Sequence, residues 1–97
     1  MPEPQTSKPE YAPFLLASLR GLGEAPRDAV LEHTRELMEG RLLPADYALL
    51  HGGGTPRWMN QADHMLDGLM EEGFVEENGA KLKLTEKGRA YIEGIDL

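Results

Sequence analysis

Apolar positions in the first half of the chain recur at helical spacing. Tyr11, Phe14, Leu15, Ser18, Leu19 and Leu22 share one face, which predicts an amphipathic helix ended by Gly21 and Gly23. Glu24-Ala25 reads as a short extended link, because a residue before proline avoids helical backbone. Pro26 suits the first turn of a second helix, with Asp28 near its positive end. Val30, Leu31, Thr34, Leu37 and Met38 form the apolar stripe of that helix, and Gly40 is its stop. The opposite face (Glu32, Arg35, Glu36, Glu39) is charged and reads as solvated. Pro44 opens a short third helix through Tyr47, Leu49 and Leu50, and Gly52-Gly53-Gly54 breaks it. Thr55 then offers an N-cap hydroxyl, with Pro56 at the first helical position. Trp58, Ala62, Met65, Leu66 and Leu69 make the clearest apolar stripe of the chain, closed by Gly73.

After Gly73 the period changes to two. Phe74-Val75-Glu76-Glu77 and Ala80-Lys81-Leu82-Lys83-Leu84 flank Asn78-Gly79, a hairpin-turn signal. Leu82 and Leu84 are expected on one face, Lys81 and Lys83 on the other. Thr85-Glu86-Lys87-Gly88 opens a last helix with Tyr91, Ile92 and Ile95 apolar. Residues 1–9 hold three prolines and almost nothing apolar, so a flexible tail is expected there and a single domain over 10–97. The order of elements predicts a mainly α fold with a small β-hairpin, of the α+β class. A two-stranded hairpin is marginal alone in water, so it must lean on the helices. Helices followed by a hairpin directly after the longest one form the winged helix-turn-helix arrangement, with the long helix as recognition helix and the hairpin as wing.

The stretch from Pro44 to Gly88 resembles the N-terminal winged-helix domain of Mrr-type restriction endonucleases. The matching features are the short Pro-initiated helix, the glycine-rich link and the Arg57-Trp58 pair opening the long helix. Leu66 and Leu69 follow, then Gly73-Phe74-Val75-Glu76 into the wing and Leu84-Thr85-Glu86-Lys87-Gly88-Arg89 out of it. The likeness extends over about residues 11–93 and implies a DNA-recognition domain. Two departures stand beside it. The nuclease half, with its Glu-x-Lys signature, has no counterpart in these 97 residues. Positions of the long helix that are often basic in that family read Asp63, Asp67, Glu71 and Glu72.

Charge bears directly on this expectation. The net charge is −7, and nucleic-acid affinity comes largely from Lys and Arg neutralising phosphates. A DNA-binding surface must therefore be local. On the long helix, Arg57, Asn60, Gln61, His64 and Gly68 lie opposite the apolar stripe, and Arg, Asn and Gln are side chains that read base edges. Between Asn78 and Arg89 the wing and its exit carry Lys81, Lys83, Lys87 and Arg89 against Glu86 alone, a set suited to phosphate. Trp58 and the methionines 38, 59, 65 and 70 read as packing residues.

Little points to catalysis. Histidines 33, 51 and 64 are not at helical ligand spacing, and cysteine is absent, so neither a disulfide nor a thiolate zinc site is expected. His51-Gly52-Gly53-Gly54 lacks both a Gly-x-Ser-x-Gly elbow elsewhere and the Gly-Lys-Ser/Thr ending of a phosphate loop. Adjacent carboxylates (Glu71-Glu72, Glu76-Glu77) diverge from one another and do not read as an acid–base pair. The expectation is thus a cytoplasmic, cofactor-free binding module, not an enzyme, with no membrane span or secretory signal. Its partner is double-stranded DNA, as a small regulator of transcription or a detached recognition domain of a restriction-type system. The alternative is an acidic protein-interaction module that does not bind DNA, using Glu71, Glu72, Glu76 and Glu77. A homodimer through Tyr91, Ile92 and Ile95 is compatible with both.

Overall fold

Tyr11, Leu15, Leu16 and Leu19 are all buried, so α1 (Lys8–Leu22) is covered along more than one face. Leu15 and Leu16 are neighbours in sequence and point about 100° apart, which a single apolar stripe would not bury together. The reason is its central position: α1 packs against α2 (Arg27–Leu37), α3 (Arg57–Glu71) and α4 (Glu86–Glu93). Leu22 and Leu37, both expected on buried stripes, are each 40% exposed because they lie at the last residues of α1 and α2, past the interhelical contact. The computed structural model describes residues 8–48 and 54–95. The helix therefore begins inside the segment expected as tail, and Leu49, Leu50, His51, Gly52 and Gly53 lie outside the described residues.

The described fold is mainly helical with a small antiparallel sheet. Glu24-Ala25 is more than a link: it forms a strand, β1 (Glu24–Ala25), that pairs with β3 (Lys81–Leu84), while β2 (Val75–Asn78) pairs with the other side of β3. The strand order β1-β3-β2 thus makes the expected hairpin a three-stranded sheet. Cross-strand register puts Ala25, Leu82, Leu84 and Val75 on the core face and Glu24, Lys83 and Glu76 on the outer face. The turn is Gly79-Ala80, with Gly79 at φ +66° as the first central residue of a primed turn, and Asn78 belongs to the strand.

Helix starts differ from expectation in a consistent way. Pro26 and Pro56 have extended ψ values of 158° and 151°, so each is the residue before the first helical turn, and Thr55 makes no cap. At α3 the cap is supplied from elsewhere: the Arg57 amide, one of those a helix leaves open, donates to the Ala48 carbonyl at 2.8 Å. The Pro44 segment is a single 3-10 turn, Pro44–Tyr47, in which buried Asp46 accepts from the Leu43 amide at 2.7 Å. Trp58, Ala62, Leu66 and Leu69 of α3 are buried as their spacing predicts, with Met59, Met65 and Met70 packed partly against the same core.

The base of the hairpin is tied at both ends. Gly73 at φ +85° follows α3, with the Phe74 amide donating to the Leu69 carbonyl at 2.9 Å and the Gly73 amide to that of Met70 at 3.1 Å. This is a Schellman ending, and it turns the chain straight into β2. Where β3 leaves the sheet, the Thr85 hydroxyl caps α4 by accepting from the Gly88 amide at 3.1 Å and donates to the Gly73 carbonyl at 2.6 Å. The Thr85 amide donates to the Phe74 carbonyl at 3.1 Å. Gly88 packs so closely on that carbonyl that a Cβ there would collide with backbone. The spacing Leu84-Thr85-x-x-Gly88 is therefore a fastening between the two ends of the ribbon. Gly88→Ala is expected to cost about 2–4 kcal/mol, since backbone must move to admit a methyl group. Thr85→Ala is expected to cost about 1 kcal/mol from the lost cap. Urea midpoints with unchanged slope check both, and a Gly88→Ala protein as stable as the parent would refute the close approach.

Candidate nucleic-acid interface

The outward face of α3 begins at Arg57, whose side chain is half-buried, and continues through Asn60 and His64. His64 is exposed and Asn60 half-buried. Gln61, one residue round the helix, keeps its amide oxygen buried without a hydrogen-bond partner, so it sits on the flank and not on the open face. Asn60 and His64 thus share a surface, and Arg57, whose Nε is buried, and Gln61 stand at its border.

The acidic residues of the same helix are not left to face a ligand alone. Arg27, the first residue of α2, reaches across and donates to Asp63 Oδ1 at 2.5 Å and to Asp67 Oδ1 at 2.8 Å. Partial burial opposes the Arg27 charge, and the hydrogen bonds to the two carboxylates outweigh it, holding the guanidinium above its ordinary value. One cation therefore serves two anions one helical turn apart and pins the start of α2 against α3. No sequence pattern within α3 announces this; the partner lies 36 and 40 residues upstream. Glu71 and Glu72, at the far end of α3, are exposed, and their carboxylates have no cation within bridging distance among the described residues.

The four wing cations do not act together. Lys81 is exposed on the outer face of β3, opposite Asn78. Lys83 stands between Glu24 and Glu76 in the register and lies 3.4 Å from the Glu76 carboxylate. The Lys87 ammonium donates to the Glu72 carbonyl at 2.7 Å and lies 4.5 Å from the Phe74 ring centre. That is the place where a cation meets the negative end of a helix, so Lys87 closes α3. Arg89 is exposed and lines a cleft with Arg20, Glu24 and Lys83 on the α1 side of the sheet. Of the expected phosphate set, Lys81 is the cation left open at the ribbon's turn.

Tyr91 is 45% exposed and stacks on Phe74 with ring centres 5.2 Å apart, whereas Ile92 is fully buried. Ile92 therefore belongs to the protein's own core. Among the described residues, no three His, Cys, Asp or Glu side chains gather at metal-holding distance, and no helix is long and apolar enough to cross a membrane. Comparisons with protein-family models, with curated proteins and with solved structures find no match to this chain.

The bridge of Arg27 is partly exposed on both sides, so its contribution to stability is small. Arg27→Gln is expected to destabilise by roughly 1 kcal/mol or less at low salt, and by less at high salt where exposed charges are screened. Urea unfolding at two salt concentrations measures this. A loss independent of salt would assign the role of Arg27 to packing of its stem instead of its charge.

Proposed function

We propose that this chain is a DNA-binding module of the winged-helix kind, with α3 as recognition helix and the β2–β3 ribbon as wing. Support comes first from topology: β1 falls between α1 and α2 and pairs beside the ribbon that follows α3. The single observation that carries the reading is the Arg27 bridge to Asp63 and Asp67. It offsets one of the two carboxylate charges that would otherwise repel phosphate from the first three turns of α3. Asn60 and His64 remain outward there, with Arg57 half-buried at the helix start, and recognition helices use their N-terminal residues on base edges. Lys81 holds phosphate at the ribbon's turn. The likeness of residues 44–88 to Mrr-type recognition domains points the same way, to a small regulator or a detached recognition domain rather than an enzyme.

With a net charge of −7, long-range steering opposes DNA, so affinity rests on a few contacts. Anisotropy titration on a random duplex at low salt is expected to give a Kd of roughly 10⁻⁴–10⁻⁶ M, the usual range for contacts without sequence specificity. Few neutralised phosphates imply a shallow salt dependence, with log K falling by about 2 per decade of salt if Arg57 and Lys81 are the two cations involved. Arg57→Gln and Lys81→Gln each weaken binding, and Lys87→Gln lowers stability instead. No binding at ~100 µM protein would remove the reading, since even nonspecific contacts act in that range.

A second reading is favoured by one observation: among the described residues, Glu71, Glu72 and Glu77 are exposed without a bridging cation, and Glu76 offsets Lys83. That surface suits a basic protein partner. Binding of a basic polypeptide that is abolished by reversing those four charges, together with silence toward DNA, would decide for it.

A further inference from the structure

Away from α3, the groove between α1 and α2 has an apolar floor and a cationic rim. Phe14, Ala17 and Leu37 form the floor, Arg20, His33 and Arg41 the rim, around a cavity of about 410 Å³. Among the described residues, no carboxylate lines it. That is unexpected in a chain with 17 acidic residues against 10 Lys and Arg, where most neighbourhoods should supply an anion.

Each rim group is placed by a specific local cause. Gly40 at φ +87° turns the chain after α2, and the Arg41 amide donates to the Met38 carbonyl at 2.8 Å. This brings the Arg41 guanidinium over the Phe14 ring, 5.3 Å from its centre. Arg20 lies in the last turn of α1, is exposed, and makes no ion pair among the described residues. His33 is half-buried and fixed through Nδ1, 2.9 Å from the Ser18 hydroxyl, which leaves Nε2 without a partner among the described residues. The nearby Arg35 is by contrast satisfied by Glu32 at 2.5 Å. Leu37, 40% exposed, presents hydrocarbon to the same groove.

We propose that this groove binds a small organic anion, a carboxylate carried on an aromatic or short aliphatic body. The body covers Phe14, Ala17 and Leu37, and the carboxylate lies between Arg20 and Arg41 with His33 beside it. An apolar floor has nothing to offer a bare phosphate or a nucleic-acid backbone, and guanidinium groups are donors of fitting geometry for a carboxylate. The site is independent of α3, and its test contains no DNA.

The experiment is an amide NMR titration of the intact chain with phenylacetate, its neutral analogue 2-phenylethanol, and inorganic phosphate. Phenylacetate is expected to shift the amides of Phe14, Ala17, Leu37 and Arg41, and to bind at least tenfold more tightly than the alcohol. Arg20→Gln and Arg41→Gln should each weaken phenylacetate several-fold to tenfold, as loss of a charge-assisted hydrogen bond implies. Leu37→Asp should weaken it as well, while Lys81→Gln should change nothing. All four positions are exposed, so circular dichroism can confirm that the variants remain folded. Equal binding of acid and alcohol would overturn the anion, and equal binding of phosphate would overturn the apolar body. No shift in the groove at ~10 mM phenylacetate, a concentration already above the millimolar affinity scale, would overturn the site.

Discussion

The two ends of the β-ribbon are fastened to each other at one point, the backbone of Gly73 and Phe74. Thr85 reaches that point from the far side with its hydroxyl and its amide, and Gly88 packs against it with no side chain between. Because α3 ends on the same residues, the angle between α3 and the ribbon is set there. α4 begins there too, so its buried Ile92 enters the core at a fixed depth. A ribbon of four-residue strands has little of its own to hold it in place. Its orientation depends on this junction and on β1, which borders β3 on the other edge.

Electrostatics in an acidic chain are decided by which cations are already engaged. Lys83 is balanced by Glu76, Lys87 is turned onto a helix-end carbonyl, and Arg35 is paired with Glu32. Arg27 holds two carboxylates at once. Among the described residues, exposed cations outside these contacts lie in two places. One is the Lys81 end of the ribbon. The other is the far end of α1, where Arg20 joins Arg41 and His33 in one cleft and Arg89 in the next. A net charge of −7 thus coexists with local surfaces suited to anions, because the paired charges have little field beyond their own contact.

Much of the architecture is legible along the chain because burial follows periodicity. The inward stripe of α3, from Trp58 to Leu69, and the alternation of Leu82 and Leu84 with Lys81 and Lys83 both appear as their spacing requires. Where a helix touches several neighbours, the single-stripe rule fails, as Leu16 shows by being buried beside Leu15. Helix ends fail for a related reason. Leu22 and Leu37 keep the period yet lie beyond the packing partner. The hydroxyl of Thr55 is unused because the Ala48 carbonyl already receives the first amide of α3.

The sequence by itself determined the number and kind of the main elements, since hydrophobic spacing, glycine and proline act over a few residues. It also determined the motif Leu84-Thr85-x-x-Gly88, although not what the motif does. Tertiary structure alone decided that Glu24-Ala25 would be a strand, that Arg27 would bridge Asp63 and Asp67, and which lysines would stay open. These are contacts between residues tens of positions apart. Only the folded backbone brings their donors and acceptors within hydrogen-bonding reach.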